Sequence, residues 1–226
     1  KNNTTLENVI IQERNGEGVQ YIGESAFRAC ENLKNINLPD TITYIGREAF
    51  RKDSSLDNVK LPNNLKSLYN LTFDGCNSLK SLELSKSLEE LGMNSLRGTA
   101  ITTLKFPQSL KTVEEGALRI STLQEIDTSE NNYFEFKNGV LYTKDLKTLV
   151  MALSNVTSIN IENSTETINA YAFRECDRLS TINITENIQS IGSLSFSNSA
   201  LKNITVSPKN NYFMNDENGN LYSKDG

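Results

Sequence analysis

Apolar residues return along this chain at a spacing of 23. Ile22-Gly23-Glu24-Ser25-Ala26-Phe27 recurs as Ile45-Gly46-Arg47-Glu48-Ala49-Phe50, and the same step leads on to Phe73. Degenerate copies centre on Leu96 and Leu118, and clear ones on Phe173 and Phe196. A second block follows each, spaced Leu-x-x-Ile-x-Leu: Leu33/Ile36/Leu38, Leu56/Val59/Leu61, Leu79/Leu82/Leu84 and Ile101/Leu104/Phe106. It continues at Leu123/Ile126, Val156/Ile159/Ile161, Leu179/Ile182/Ile184 and Leu201/Ile204/Val206, with a partial copy at Leu6/Val9/Ile11. Alternation such as Ile36-Asn37-Leu38 has period 2 and predicts a short strand with one buried face. The Ala-Phe segments predict a single helical or 3₁₀ turn that returns the chain.

A lone unit of this size cannot bury its apolar face, so neighbours must stack around a continuous core. Strands of successive units should lie parallel and side by side, nine of them over roughly 38 Å. The expected fold class is an α/β-type repeat solenoid of the leucine-rich kind. It would have a curved parallel sheet, short helical or 3₁₀ turns on the convex side, and inserted β-hairpins. The domain expectation is one solenoid over 1–226: a partial repeat at 1–21, repeats at 22–128, a hairpin insertion at 129–155 and repeats at 156–206. A second, truncated hairpin fills 207–226.

The hairpins are predicted from a duplicated segment. Asn131-Asn132-Tyr133-Phe134 leads to Asn138-Gly139-Val140-Leu141-Tyr142, and Asn210-Asn211-Tyr212-Phe213 leads to Asn218-Gly219-Asn220-Leu221-Tyr222. Asn-Gly between apolar runs suits a type I′ turn, whose two central residues need positive φ. The second copy lacks a return strand equivalent to Leu149–Leu153, so the natural polypeptide is expected to continue.

The unit Ile-Gly-x-x-Ala-Phe-x-x-Cys-x-x-Leu-x-x-Ile-x-Leu-Pro, matched by Ile22 to Pro39, resembles the BspA-like leucine-rich repeat. Nearly the whole chain shares the resemblance; the units around Leu96 and Leu118, which lack Phe, depart from it. The resemblance implies a bacterial surface or secreted protein that attaches to host proteins or other cells. It implies no catalysis and names no ligand.

Composition narrows the function further. With 23 Lys+Arg against 28 Asp+Glu, the net charge is −5, which disfavours a nucleic-acid partner that needs a basic face. The longest apolar run, Leu149 to Leu153, falls far short of the roughly 20 residues that span a bilayer. There is no histidine, so no Ser-His-Asp triad, Cys-His pair or imidazole ligand can form. No signal or transit peptide is visible at Lys1-Asn2-Asn3-Thr4-Thr5.

Candidate chemistry is sparse. Cys30, Cys76 and Cys176 share one repeat position, with Asp53 standing there in the intervening unit. Cys30 and Cys76 should be about 10 Å apart, beyond the roughly 7 Å limit for a bridge, so all three are expected to be free and buried. Glu125 and Asp127 flank Ile126 and could in principle act as an inverting glycosidase pair. The competing reading is a charge ladder, because Lys60, Glu83, Lys105 and Asp127 alternate in sign on adjacent strands. No cofactor and no metal site is expected.

Two surfaces could bind. The concave sheet face gathers Asn35, Asn37, Asn58, Lys60, Glu83, Lys105, Glu125, Asp127, Asn160, Thr181 and Asn183, and is polar and nearly neutral. The hairpin surface gathers Tyr133, Phe134, Phe136, Tyr212 and Phe213. The expected function is a non-enzymatic cell-surface or secreted adhesion module, monomeric, recognising a protein or glycan ligand of unknown identity. A structural spacer in a larger envelope protein is the alternative, and a glycosidase the remote one.

Overall fold

The structure, a computed structural model, describes residues 2–15 and 17–225. They fall into two compact units, Lys1–Tyr133 and Phe134–Gly226. Each unit is a parallel β-solenoid.

In the first unit every repeat lays down one three-residue strand: Asn8–Ile10, Asn35–Asn37, Asn58–Lys60, Ser81–Glu83, Thr103–Lys105 and Glu125–Asp127. They pair in parallel with equivalent residues opposite one another, Asn58 against Ser81 and Thr103 against Glu125. The central residue of each, from Ile36 to Ile126, is buried, and the flanking residues point outward. This is the alternation that period 2 demands. The first step, Asn8 to Asn35, is longer by four residues and accommodates a small antiparallel pair, Glu13–Arg14 with Glu17–Gly18.

A second column of two-residue strands runs through the same repeats, and the spacing had not announced it. Tyr21–Ile22 pairs with Tyr44–Ile45, and Ser67–Leu68, Glu90–Leu91 and Thr112–Val113 form a three-stranded sheet. The residue that follows Ile45 is Gly46, where a Cβ would stand 2.6 Å from the backbone nitrogen of Glu24. Glycine allows that close approach between neighbouring units.

The expected helical turns are absent: no helix occurs among the described residues. The Ala-Phe segments are chains of turns in which alternate amides leave the segment. Ser25, Phe27 and Ala29 donate their N–H groups to the carbonyls of Arg47, Ala49 and Arg51 in the next repeat, at 2.8–2.9 Å. Ala26, Arg28 and Cys30 close local turns onto Gly23, Ser25 and Phe27. Positive φ at Ser25 and Ala29, and at Glu48 and Lys52, produces this alternation. A helix would turn every N–H along its own axis. Stacking selects the alternating form, because the backbone donors then bind the neighbour.

Phenylalanine rings fill the space these turns enclose. Phe27 stacks on Phe50 with centroids 5.4 Å apart, and Phe50 on Phe73 at 5.1 Å, both nearly parallel. In the second unit Phe173 stacks on Phe196 at 5.5 Å.

The second unit opens with the first hairpin. Phe134–Lys137 pairs antiparallel with Val140–Thr143, which pairs antiparallel with Thr148–Ala152. That strand then runs parallel to Thr167–Ile168, and Thr167–Ile168 to Ser190–Ile191. The turn has positive φ at both Asn138 and Gly139, as a type I′ turn requires. Thr181–Ile184 and Asn203–Val206 form the parallel pair equivalent to the sheet of the first unit. The segment Val156–Ile161, expected as another strand, has no ladder partner and is irregular. The described residues therefore hold eight strands of this kind, not nine. The second hairpin, Phe213–Asn215 with Leu221–Ser223, closes through a longer loop. Asp216 holds it by accepting the amides of Asn218 and Asn220 at 2.9 and 2.8 Å.

Candidate functional site

The outward residues of the longer strands form the polar face that the repeat spacing predicts. In the first unit Asn35, Asn37, Asn58, Lys60, Ser81, Glu83, Thr103, Lys105 and Glu125 are all exposed beside buried aliphatic residues. In the second unit Thr181 and Asn183 are exposed on one strand. Asn160 is exposed too, but sits in the irregular segment.

Charges on this face are paired between neighbouring repeats. Lys60 lies 3.1 Å from Glu83, and Lys105 lies 3.9 Å from Asp127 and 2.7 Å from Glu130. Three positions earlier in the repeats, just before the strands, Lys34 meets Glu7 at 3.1 Å and Lys80 meets Asp57 at 3.5 Å. Exposed pairs of this kind contribute about 0–1 kcal/mol each, so their consequence is a small net field, not stability. Several amides are also engaged. Asn35 donates to the Asn8 side chain at 2.9 Å, Asn37 exchanges two bonds with the Ile11 backbone, and Thr205 donates to Asn183 at 3.1 Å.

Asp127 has a local task. Its Oδ1 accepts the amide and the hydroxyl of Ser129, at 2.9 and 2.6 Å. The Ser129 bonds hold its carboxyl below the usual carboxylate range. Asp127 thus pairs with Lys105 across the repeats and caps the turn at Ser129.

The hairpin surface is smaller than its composition suggests. Tyr133 and Tyr212 are exposed, whereas Phe134 is 4% exposed and Phe136 and Phe213 are partly buried. A buried asparagine instead precedes each hairpin in sequence. Asn131 donates to the carbonyls of Pro107 and Leu110 at 2.7 and 2.9 Å and accepts the Tyr133 amide. Asn210 does the same with Thr185, Ile188, Tyr212 and Phe213. The duplicated Asn-Asn-Tyr-Phe is the sequence signal for this pair of asparagines.

Two further side-chain clusters lie outside both surfaces. Exposed Tyr21, partly buried Tyr44 and exposed Tyr69 form an aromatic row along the second strand column, Tyr69 just after its strand, with centroids 6.0 and 5.1 Å apart. On the turn segments, nearly buried Glu48 and Asp74 link three arginines in a network that spans four repeats. Glu48 meets Arg28 at 2.7 Å and Arg51 at 3.2 Å, and Asp74 meets Arg51 at 2.9 Å and Arg97 at 2.6 Å. Its sequence signal is the column one residue after the Phe position, which reads Arg28, Arg51, Asp74 and Arg97 in successive repeats.

The cysteines are free and buried. Cys76 donates to the Phe50 carbonyl at 3.0 Å, and burial raises its thiol far above the ordinary range. Burial likewise raises Cys176 to about 12. Burial thus disfavours the thiolate, the nucleophilic form, at both positions. No group of three acidic or cysteine residues suited to a metal ion occurs among the described residues. Nor, among them, is any helix long and apolar enough to cross a membrane.

Stacked parallel strands, inward aliphatic residues and a spine of phenylalanines define a leucine-rich-repeat solenoid. The chain belongs to the BspA type leucine rich repeat region family, whose model matches six copies over residues 1–122, 43–157 and 150–217. Among solved structures it is similar to a leucine rich cell surface protein from Faecalibacterium prausnitzii A2-165. The two share 30% identity with a TM-score of 0.76, over 90% of this chain and 55% of that one. The pneumococcal vaccine antigen PcpA is 23% identical with a TM-score of 0.72, over 84% of this chain and 49% of that one. A leucine-rich repeat protein from Bacteroides ovatus ATCC 8483 is 20% identical with a TM-score of 0.64, over 89% and 63%. The latter two show the fold alone. The chain spans about half the length of the first two. No curated protein sequence matches it.

Proposed function

We propose that this chain is a cell-surface or secreted binding module that recognises a protein or glycan through the polar sheet face of its solenoid. The observation that supports this reading is the uniform exposure of Asn35, Asn58, Ser81 and Thr103 on a rigid ladder of backbone hydrogen bonds. Such a face presents donors and acceptors at the fixed spacing of parallel strands, about 4.8 Å, at little conformational cost on binding. The paired charges leave little net field to attract small ions or nucleic acid. The extracellular setting is carried over from the Faecalibacterium relative, described as a cell surface protein, and from the family resemblance.

The test is a screen of the chain against extracellular-matrix proteins and a glycan array, repeated with Asn35→Arg/Asn58→Arg. The reading expects a ligand whose binding the double variant abolishes while the melting temperature is kept. A ligand bound equally well by that variant, and lost instead on Tyr133→Ala or Tyr212→Ala, would move the site to the hairpins.

A further inference from the structure

The second strand column of the first unit carries an aromatic row on its outward side. Tyr21 and Tyr44 point away from buried Ile22 and Ile45 by the ordinary alternation of a strand. Tyr69 stands two residues beyond Ser67, hence on the same side, and reaches Tyr44 as a diagonal neighbour. The rings follow one another along the stacking direction, tilted by 45° and 47°. Tyr21 is 67% exposed and Tyr69 42%, with Tyr44 partly covered between them. None of the three hydroxyls hydrogen-bonds to another described residue.

Tyr69 is also where the repeat departs from itself. Its position reads Gly23, Gly46, Tyr69 and Gly92 in successive repeats. A Cβ at Gly46 would stand 2.6 Å from the Glu24 amide nitrogen, and one at Gly92 2.7 Å from the Leu68 carbonyl oxygen. Close stacking therefore favours glycine there. Glu114, the next residue of the column, accepts the Met93 amide at 2.7 Å. The Tyr69 side chain makes no such bond and extends the aromatic row instead. Departures from a fold's local rule with no hydrogen bond in return concentrate at functional positions.

Ring faces, hydroxyls and charge decide the class of ligand. Gly23 is exposed, with open space where its Cβ would be, so a flat ligand has room beside Tyr21. The bordering charges, Glu24, Arg47 and Lys66, are of both signs. Arg47 lies 3.4 Å from Glu48, and Lys66 lies 3.9 Å from Glu89. A field of one sign, which an ionic ligand needs, is lacking. The strands pair with neighbouring repeats, Tyr21–Ile22 with Tyr44–Ile45 and Ser67–Leu68 with Glu90–Leu91, which leaves side chains as the contact groups. Those side chains are amphipathic rings, whose faces stack on the C–H faces of sugars while their hydroxyls bond to sugar hydroxyls. We propose that Tyr21, Tyr44 and Tyr69 form a subsite for a linear neutral polysaccharide, one sugar unit to each ring along the repeat axis. The site lies on a different strand column from Asn35 and Asn58 and stands independently of that face.

The chain has no tryptophan, so tyrosine fluorescence and the aromatic NMR signals report on the rings directly. The probes are linear hexasaccharides of β-linked glucose, mannose and N-acetylglucosamine, titrated to millimolar concentration. At least one should shift the Tyr21, Tyr44 and Tyr69 signals saturably and leave those of Tyr133 and Tyr212 in place. Tyr69→Gly, which restores the residue of the flanking repeats, should keep the melting temperature and weaken binding several-fold. Tyr44→Ala should weaken it further, and Tyr69→Phe should keep most of it. Asn35→Arg/Asn58→Arg should leave it unchanged, which separates this site from the polar sheet face. Absence of a saturable shift with every probe would overturn the proposal. So would binding that Tyr69→Gly and Tyr44→Ala leave intact, or a proline-rich peptide that shifts the same rings where the sugars do not.

Discussion

Asp53 Oδ1 accepts the backbone N–H of Cys30 at 2.8 Å, across the boundary between two repeats. The carboxyl stands in the column otherwise held by Cys30 and Cys76, fully buried, and its Oδ2 has no hydrogen-bond partner. Burial pushes it up to about 8, only partly offset by the Cys30 bond. Because the folded value lies above the ordinary 3.8, folding favours the protonated form. The contribution is fully present below about pH 4 and is lost as pH rises through 8.

The first prediction follows from that sign. Urea midpoints of the native chain should fall between pH 5 and pH 9. Asp53→Asn keeps an acceptor for Cys30 and cannot ionise, so its midpoints should stay flatter and exceed the native ones at pH 9. Identical slopes for the two proteins would show that Asp53 does not titrate in this range.

Phe50 is stacked on both faces and fully buried, whereas Phe27 has a stacking partner on one face only among the described residues. Phe50→Ala should cost about 3–5 kcal/mol in chemical unfolding, as large-to-small core changes do. Phe27→Ala should cost clearly less. A loss below about 1 kcal/mol at Phe50 would contradict the spine.

Asn131 and Asn210 each satisfy two buried carbonyls of the preceding repeat. Asn210→Ala should cost about 1–3 kcal/mol by leaving them unpaired. Asn210→Asp should cost more, since it turns a carboxylate toward the Thr185 and Ile188 carbonyls. Circular-dichroism melts of the two variants at neutral pH give the comparison; equal stability of the aspartate and native proteins would contradict this role.

Binding through the sheet face should depend weakly on salt, because Lys60–Glu83 and Lys105–Asp127 leave little net charge to screen. For a ligand found in the screen, dissociation constants at low and physiological ionic strength should agree within a few fold. A change of a hundredfold would mean that an unpaired charge steers the complex.

Thiol titration in denaturant without reductant should give three free cysteines per chain. Any intramolecular bridge would require a different stacking register.

The period of 23, the alternating strands, the free cysteines and the Lys60–Glu83 pairing were legible because each follows from a side chain's place in a repeated unit. The periodicity needs only that equivalent residues stack. The polar face was legible for the same reason, and so was the first hairpin, since Asn138-Gly139 encodes its turn locally.

What escaped the residues one at a time was decided between repeats. Good helix formers at Ala26 and Ala49 suggested helical turns, yet the backbone takes positive φ at Ser25 and Glu48. Its amides gain more by binding the next repeat than by closing an isolated turn. Val156–Ile161 carries the strand pattern and forms no ladder, so alternation there lacked the partner that makes a strand. Leu141 and Leu221 stand in duplicate segments, one buried and the other partly exposed, because only the first has Thr148–Ala152 beside it. The sequence by itself determined which residues repeat and which face inward. The tertiary structure decided where each backbone hydrogen bond goes, because that depends on which neighbour is present to receive it.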